Sequence, residues 1–323
     1  MLIFIGSRRQ TYVLRHMQRD ERMPAWTCRT YAWLFRTRRF PAGTYIFTAV
    51  DRLDAGERRL AALFYRHLNA QGGAFRALND PAIAMGRYRL LRTLHEAGLN
   101  DFNAYLATEQ QRPSRYPVFI RRASSSIAPL TGLLRSADEL EANLARLIAA
   151  GEAAEDLIII EYCAEEAAPG IFIKQSEYRV GDRYVPNGSQ FSAGWYVKRS
   201  THIEVPESYH HADTALIAAN PYADVAARAF AIAGIEYGRA DIGMVGGRPQ
   251  IYEINFNPEL TTQRERPRPH PMHSANWDRS DDLLFEAMHA IDTKGKGSVG
   301  TIGNAELLQF RLRFWRNYAP QRY

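Results

Sequence analysis

Cysteine, lysine and long apolar runs are all scarce in this chain of 323 residues. Its two cysteines, Cys28 and Cys163, can form neither a disulfide framework nor a four-cysteine zinc site, so we expect reduced thiols in a cytoplasmic protein. No apolar run reaches the roughly 18 residues that a membrane-spanning helix needs, which excludes such a helix. The apolar residues 2–5 are few and precede Arg8 and Arg9, which predicts a first β-strand rather than a signal peptide.

The positive charge of the chain is made almost wholly of arginine. Lysine and arginine together number 41 against 35 acidic residues, giving a formal charge of +6, yet the lysines are Lys174, Lys198, Lys294 and Lys296 alone. Such a broad bias is typical of genome composition, and it predicts arginine wherever a cation is required. Residues 8–39 are rich in arginine, which would fit a nucleic-acid surface, but the bias of the whole chain favours an ordinary surface.

The hydrophobic pattern predicts an α+β (α/β) protein. With 46% hydrophobic and 24% charged residues, wholesale disorder is excluded. We predict a small α/β domain over 1–78, two segments over 79–160 and 161–270, and a C-terminal helical extension over 271–323, whose tail docks on the body. Periodicity predicts helices over 54–71, 83–97, 137–150 and 222–234, and strands over 1–6, 44–50, 74–78, 117–121, 157–161, 170–180, 183–186 and 192–198.

One predicted hairpin carries the strongest chemical signal, with strands over 239–245 and 249–255 joined by a glycine turn. A turn centred near Gly247 places Asp241 opposite Glu253. Because side chains alternate along a strand, Glu253 and Asn255 share a face, about 6.6 Å apart. Two carboxylates and an amide oxygen are hard ligands that suit Mg²⁺ rather than zinc. We therefore predict a magnesium site at Asp241, Glu253 and Asn255.

This hairpin resembles the C-terminal signature of the ATP-grasp superfamily, in which an Arg-x-Asp strand pairs with a strand ending Glu-x-Asn-x-x-Pro. Here the two parts are Arg239 to Asp241 and Glu253 to Pro258. Weaker similarities to the same family lie upstream of the hairpin in the order that the family shows, so that the resemblance covers residues 79–258. The resemblance implies a nucleotide bound between two α+β lobes, the first with its lid over 79–160 and the second with the metal site over 161–270.

The resemblance also implies roles for upstream residues. Arg87 and Arg121 stand where the family usually has phosphate-binding lysines, with Arg122 as the alternative to Arg121 if the alignment shifts by one. The segment that meets adenine corresponds to Glu161, Tyr162 and Cys163. The lid loop here is Ser124 to Ser126, where the family is often glycine-rich, and its hydroxyls and N–H groups can still hold phosphate.

Four further cations are candidates for the same site. Lys174 and Lys198 are notable because lysine is so rare, and Lys174 lies on the strand after the adenine segment. Arg179 follows on the same hairpin. Arg239 is expected to share a face with Asp241, where it could stabilise an acyl phosphate and the later oxyanion. For Lys174, Lys198 and Arg179 the alternative is a solvated strand residue.

The resemblance implies an ATP- and Mg²⁺-dependent ligase that activates a carboxylate as an acyl phosphate for attack by an amine. The substrates would be small molecules or peptides. Two alternatives stay open: an ATP-grasp phosphotransferase, and a non-catalytic nucleotide-binding or nucleic-acid-binding module. We expect neither a membrane nor a nucleic-acid partner, while a homo-oligomer stays open.

Two pairs of histidines give no functional prediction. His270 and His273 have a spacing seen in metal sites, but the proline between them and the lack of nearby carboxylates favour a loop. His210 and His211 precede Asp213, which favours a helix-cap neighbourhood rather than a ligand set.

Overall fold

The computed structural model describes residues 1–7, 20–125, 127–198, 201–260, 270–293, 299–301 and 305–317. Predictions about residues 8–19, Ser126, Lys294 and Lys296 lie outside the described residues. Across the described ranges, no helix combines the length and the apolar character needed to cross a bilayer.

The first sheet is parallel and comes from the N-terminal part of the chain. Two of its strands, Leu2–Gly6 and Gly43–Phe47, are buried along their whole lengths, as expected for a parallel sheet that is covered on both faces. The strand order is β2-β1-β4-β5, where β1 is Leu2–Gly6, β2 is Trp26–Thr30, β4 is Gly43–Phe47 and β5 is Phe75–Leu78.

Helix α2 (Ala55–Gln71) covers this sheet and begins at the predicted cap. The carboxylate of Asp54 accepts a hydrogen bond from the backbone N–H of Glu57, and the carboxylate of Glu57 accepts one from the N–H of Asp54. This reciprocal pair satisfies two N–H groups that the helix leaves free. The neighbouring elements are α1 (Tyr31–Arg36), the strand pair β3 (Arg39–Pro41) and β14 (Val299–Thr301), and α8 (Ala305–Asn317), which packs on α2 as the prediction of a docked tail requires.

A small antiparallel sheet forms the middle of the chain. Its central strand, β8 (Leu157–Glu161), is the continuous apolar run that the sequence predicts, and it is buried throughout. The outer strands are β6 (Ala104–Leu106) and β7 (Val118–Arg122). Helix α4 (Ala137–Ala149) packs on β7 and is capped by Ser136, whose hydroxyl accepts from the N–H of Glu139.

The largest sheet is antiparallel and follows β9 (Glu166–Ala168). Its order is β11-β10-β12-β13, with β9 paired to β10. The strands are β10 (Ile171–Val180), β11 (Arg183–Ser192), β12 (Tyr237–Val245) and β13 (Arg248–Asn255), and the helices packed against it are α3 (Arg87–Glu96), α5 (Glu207–Ala219), α6 (Ala223–Ala233) and α7 (Pro271–Ala290).

The hairpin of β12 and β13 has the predicted register. Gly246 and Gly247 form the turn with φ values of 55° and 74°, a left-handed conformation that glycine adopts without strain. Asp241 pairs with Glu253, and a bulge follows between Asp241 and Ile242. The side chains of the two carboxylate residues therefore meet across the two strands.

One apolar core spans the first sheet and the largest sheet. It contains Ile3 and Phe64 from the N-terminal part together with Phe230 and Ile242 from the third predicted segment. This core joins residues of the predicted domain 1–78 with residues of the predicted segment 161–270. The boundaries between them therefore stay a prediction.

Several local predictions differ from the structure; for example, the strand predicted over 44–50 ends at Phe47. The strand predicted over 183–186 continues to Ser192 as β11, so of the strand predicted over 192–198 only Ser192 is in a strand, and residues 193–196 form bends. The helix predicted over 83–97 begins at Arg87, with Gly86 as its N-cap. The loop predicted at His270 and His273 is instead the start of α7: His270 is the residue before the helix and makes no side-chain capping bond, Pro271 takes the first helical position, where its missing N–H is tolerated, and His273 lies in the first turn.

Candidate active site

The hairpin places two carboxylates side by side, and Asp241 is the more deeply surrounded by cations. Asp241 is 2% exposed. Lys174 Nζ donates to its Oδ2 at 2.8 Å, while Arg239 Nε and Ser176 Oγ donate to its Oδ1 at 3.0 and 3.2 Å. Burial by itself raises the pKa of Asp241, but the charges of Arg239 and Lys174 outweigh burial and hold that pKa well below its usual range. The carboxylate is therefore ionised.

Glu253 forms an ion pair with Arg87, the first residue of α3. Arg87 Nη2 donates to Glu253 Oε2. Burial raises the pKa of Glu253, but the charge of Arg87 prevails and lowers that pKa to about 2. The first turn of α3 contains no acidic residue, so Glu253 supplies the negative charge that a helix N-terminus favours.

Arg87 and Arg121 converge on the serine loop that follows β7. Arg87 Nη1 and Arg121 Nη2 both donate to the carbonyl oxygen of Ser125, at 2.6 and 3.2 Å. The Nε atom of each arginine is buried without a hydrogen-bond partner. Arg121 is 7% exposed, and burial together with the charge of Arg87 lowers its pKa to about 10. Two neighbouring guanidinium groups, each with an unpartnered Nε–H, favour an anion at this position.

An apolar cavity of about 100 Å³ lies on one side of the carboxylate pair. Its wall includes the segment after β8, where Tyr162 meets the ring of Trp195 edge-on at 5.8 Å. The backbone carbonyl of Cys163 accepts a hydrogen bond from the Tyr252 hydroxyl at 2.8 Å. Aromatic walls with a few polar groups suit a planar, mostly apolar ring. The lining also contains Glu161, Lys174, Lys198, Asp241 and Glu253.

The carboxylate of Glu161 is already engaged by its neighbours. Its Oε2 accepts from the backbone N–H of Asn103 at 3.0 Å, and its Oε1 accepts from the Tyr105 hydroxyl at 3.1 Å. Glu161 therefore ties β6 to β8 beneath the cavity wall.

A polar cavity of about 220 Å³ adjoins Glu253. It shares Lys198 and Glu253 with the apolar cavity, so the two spaces meet at these two residues, while Asp241 lines the apolar cavity alone. Its wall carries charges of both signs, which suits a polar ligand that itself has both. The lining includes Asp51, Arg52, Arg87, Ser124, Ser125, Gln190, Arg239, Asn255, Asn257 and Glu259.

Comparison with known proteins was informative at the level of structure. No protein-family model matches the chain, and no curated protein sequence does so significantly. Among solved structures, the D-alanine–D-alanine ligase from Bacillus anthracis superimposes over 97% of this chain and 99% of its own, with a TM-score of 0.51 and 12% identity. The D-alanine–D-alanine ligase from Coxiella burnetii covers 98% of both chains, with a TM-score of 0.50 and 10% identity.

The chain has the ATP-grasp fold. Within this ATP-grasp fold, the predicted site residues fall around the two cavities with two exceptions. Arg179 Nε donates to the carbonyl of Gly181 and its Nη1 to the carbonyl of Ile235, at 2.9 and 2.8 Å, so its guanidinium holds backbone instead of lining either cavity. Arg122, the alternative to Arg121, pairs with Glu152 instead.

Several residues in or beside the apolar and polar cavities were not predicted from the sequence. Ser176 donates to Asp241, and its position two residues after Lys174 on one strand is a signal that was available. Trp195 and Tyr196 line the apolar cavity. They were not predicted as site residues because residues 192–198 were predicted to form a strand. Asp51 and Arg52 come from a short 3₁₀ helix far earlier in the chain, and no local pattern connects them to the hairpin.

The donor set fits a hard cation and a polyphosphate. Asp241, Glu253 and Asn255 offer oxygen atoms, the ligands that Mg²⁺ prefers. Over the described part of the chain, no three histidine, cysteine, aspartate or glutamate side chains surround a common point, so these two carboxylates would need non-carboxylate oxygens to complete a shell. The unpartnered Nε atoms of Arg87 and Arg121 fit phosphate oxygens.

Proposed function

We propose that the protein is an ATP- and Mg²⁺-dependent carboxylate–amine ligase that acts on a small molecule or a peptide. The observation that carries the proposal is the pair of opposed carboxylates: Asp241 lines the apolar cavity, and Glu253 lines both that cavity and the polar one. Five cations face this pair or the cavities, which matches the high negative charge of a nucleoside triphosphate. They are Arg87, Arg121, Lys174, Lys198 and Arg239.

The apolar cavity would hold the adenine ring, with Tyr162 and Cys163 in its wall. Arg87 and Arg121 would bind phosphate oxygens through the N–H groups that have no partner in the protein. Asp241, Glu253 and Asn255 would hold Mg²⁺, which supplies charge neutralisation at the phosphates when it is bound. Phosphoryl transfer needs such positioning and neutralisation more than it needs a nucleophilic side chain.

The polar cavity would receive the carboxylate substrate and the amine. A carboxylate oxygen attacks the γ-phosphorus of ATP, the bond to the β-phosphate oxygen breaks, and ADP leaves. The amine then attacks the acyl carbon, an amide forms, the bond between the acyl carbon and the phosphate oxygen breaks, and the amine loses a proton. Arg239 lines this cavity and would stabilise the negative oxygen that develops in the second step.

Likeness to two D-alanine–D-alanine ligases supports a ligase at the level of fold. Because identity is 10–12%, the substrates are not carried over from them. The charges of both signs around the polar cavity favour a substrate that is itself polar and charged.

Release of phosphate from Mg·ATP tests the proposal. The purified chain is incubated with pooled amino acids, peptides and amines, and each active pool is resolved by mass spectrometry. We expect ADP, free phosphate and a new amide in equal amounts. The Asp241→Asn and Glu253→Gln variants should lose at least about 100-fold in rate, while Asp224→Asn, at an exposed position on α6, should keep full activity.

Other product patterns would overturn the assignment. ADP with a phosphorylated product and no free phosphate would show a phosphotransferase. Tight ATP binding with no turnover in any pool, unchanged in Asp241→Asn, would show a nucleotide-binding module. A soaked structure with the metal away from Asp241, Glu253 and Asn255 would refute the metal assignment.

A further inference from the structure

Four histidines meet on the outer side of β11, away from the ATP-grasp cavities. His210 lies on α5, His270 and His273 begin α7, and His202 follows β11. The ring centroids of His210 and His270 are 4.1 Å apart, those of His210 and His273 are 5.2 Å apart, and those of His202 and His273 are 5.0 Å apart. Three elements that are distant in sequence therefore bring four imidazoles into contact.

The histidines line a cavity of their own. Its volume is about 160 Å³, and its wall contains Glu204 and Val205 in addition to the four imidazoles. His210 is 2% exposed, and its Nδ1 is buried without a hydrogen-bond partner. The Nδ1 of His270 is also buried without a hydrogen-bond partner. A buried ring nitrogen without a partner is costly unless something binds to it, so these atoms point to a ligand.

The histidine cluster is separate from the polar cavity because the two lie on opposite faces of β11. Gln190 on β11 lines the polar cavity. The next residue, Phe191, contacts the rings of His202, His210 and His273. Neighbouring residues on a strand point to opposite faces, so the strand lies between the two spaces.

The chemistry of the cluster suits a borderline metal ion. Imidazole is a preferred ligand of Zn²⁺, and two imidazoles on one tetrahedral zinc have ring centres about 5 Å apart, close to two of the observed spacings. Only a neutral imidazole can coordinate.

The rings must rotate to complete a coordination shell. No three donors of the described residues surround a common point as the side chains stand, and the rings of His210 and His270 are stacked at an interplanar angle of 20°. The rotation falls to His202 and His270, which are only partly buried and line the cavity, because His210 and His273 are fully buried.

We propose that His202, His210, His270 and His273, with Glu204 as an additional donor, form a zinc site that fastens α5 and α7 to the outer face of β11. The site holds one ion per chain. It is structural, because β11 separates it from the ATP-grasp cavities, and it selects against Mg²⁺, which prefers oxygen ligands.

Zinc titration of the untagged full-length chain tests the proposal. After treatment with a chelator and dialysis, ZnCl₂ is titrated by calorimetry, and thermal unfolding is followed with and without one equivalent. Co²⁺ then serves as a spectroscopic probe, since histidine ligands give it a characteristic visible absorption. We expect one Zn²⁺ per chain, a higher Tm with Zn²⁺ but not with Mg²⁺, and a Co²⁺ spectrum that zinc abolishes.

Variants locate the ion. The double variant His202→Gln and His270→Gln changes two partly buried residues and should fold, yet it should lose the stoichiometric Zn²⁺ and the rise in Tm. His211→Gln, one residue from His210 but exposed on α5, should keep both. Glu253→Gln removes a carboxylate of the proposed ligase site and should also keep both, so failure of the ligase assignment leaves this test intact.

Two results would overturn the zinc site. The first is no Zn²⁺ binding to the parent chain at micromolar concentrations, which would show that the four rings are an aromatic stack around Phe191. The second is Zn²⁺ binding that survives in the His202 and His270 double variant but is lost in Glu253→Gln, which would place the ion at the carboxylate pair.

Discussion

Replacing Lys174 by methionine should separate the structural and chemical consequences of the cations around Asp241. Methionine fills a similar length but removes the Nζ atom that lies 2.8 Å from Asp241 Oδ2. Loss of one partner from a buried ion pair costs about 3–5 kcal/mol. Arg239 and Ser176 still donate to Oδ1, so we expect a smaller loss than that range, about 2–3 kcal/mol of unfolding free energy.

The pH dependence of the Lys174→Met effect identifies its cause. The folded-state pKa of Asp241 is depressed, so its ion pairs stabilise the fold fully above the unfolded pKa of about 3.9 and progressively less as pH falls through the folded value. The difference in unfolding free energy between parent and variant should therefore be greatest near pH 7 and shrink below about pH 4. Urea unfolding followed by tryptophan fluorescence measures both values.

Lys198→Met is the matched control for this experiment. Lys198 is only partly buried and lies over the ring of Tyr196, 5.1 Å from its centroid, so its replacement should cost less than about 1 kcal/mol. A Lys174→Met variant that loses no more stability than Lys198→Met, or whose loss is unchanged down to about pH 3, would refute the ion-pair reasoning.

Three further changes test other parts of the structure. Arg121→Ala should weaken binding of a non-hydrolysable ATP analogue by about 10–100-fold in calorimetry, whereas Arg122→Ala, which breaks only the surface pair with Glu152, should not; equal effects would contradict the assignment. Burial raises the pKa of Glu177 to about 8, so stability should fall by about 3–5 kcal/mol between pH 5 and pH 8, and Glu177→Gln should flatten that slope in urea unfolding. Asp54→Ala should lower the unfolding free energy by about 1 kcal/mol through loss of the helix cap, and no change in the urea midpoint would contradict it.

Local chemistry explains what the sequence predicted well. The opposition of Asp241 and Glu253 follows from a glycine turn and the two-residue period of strands, and the structure has that register. The cap at Asp54 and the buried strand β8 depend equally on nearby residues. The ATP-grasp fold itself could be predicted because its signature lies within one hairpin.

Contacts between distant segments were harder to predict. The ion pair of Lys174 with Asp241 depends on how β10 pairs with β12, and a bulge in the pairing of β10 with β11 lies between Lys174 and Ser176. Arg179 lies three residues after Ser176, an odd step that turns its side chain to the other face of β10. The sequence analysis considered His270 with His273, and His210 with His211, but predicted no ligand set, because the segments 202–210 and 270–273 meet only when α5 and α7 pack on β11.

Arg87 links three parts of the molecule through one guanidinium. It begins α3, pairs with Glu253 on the hairpin and holds the carbonyl of Ser125 in the serine loop. An anion that draws Arg87 toward itself competes with both of these partners at once. Release of the loop and release of the Glu253 carboxylate are therefore coupled, so an anion bound at the proposed phosphate position should affect the loop without any movement of the sheets.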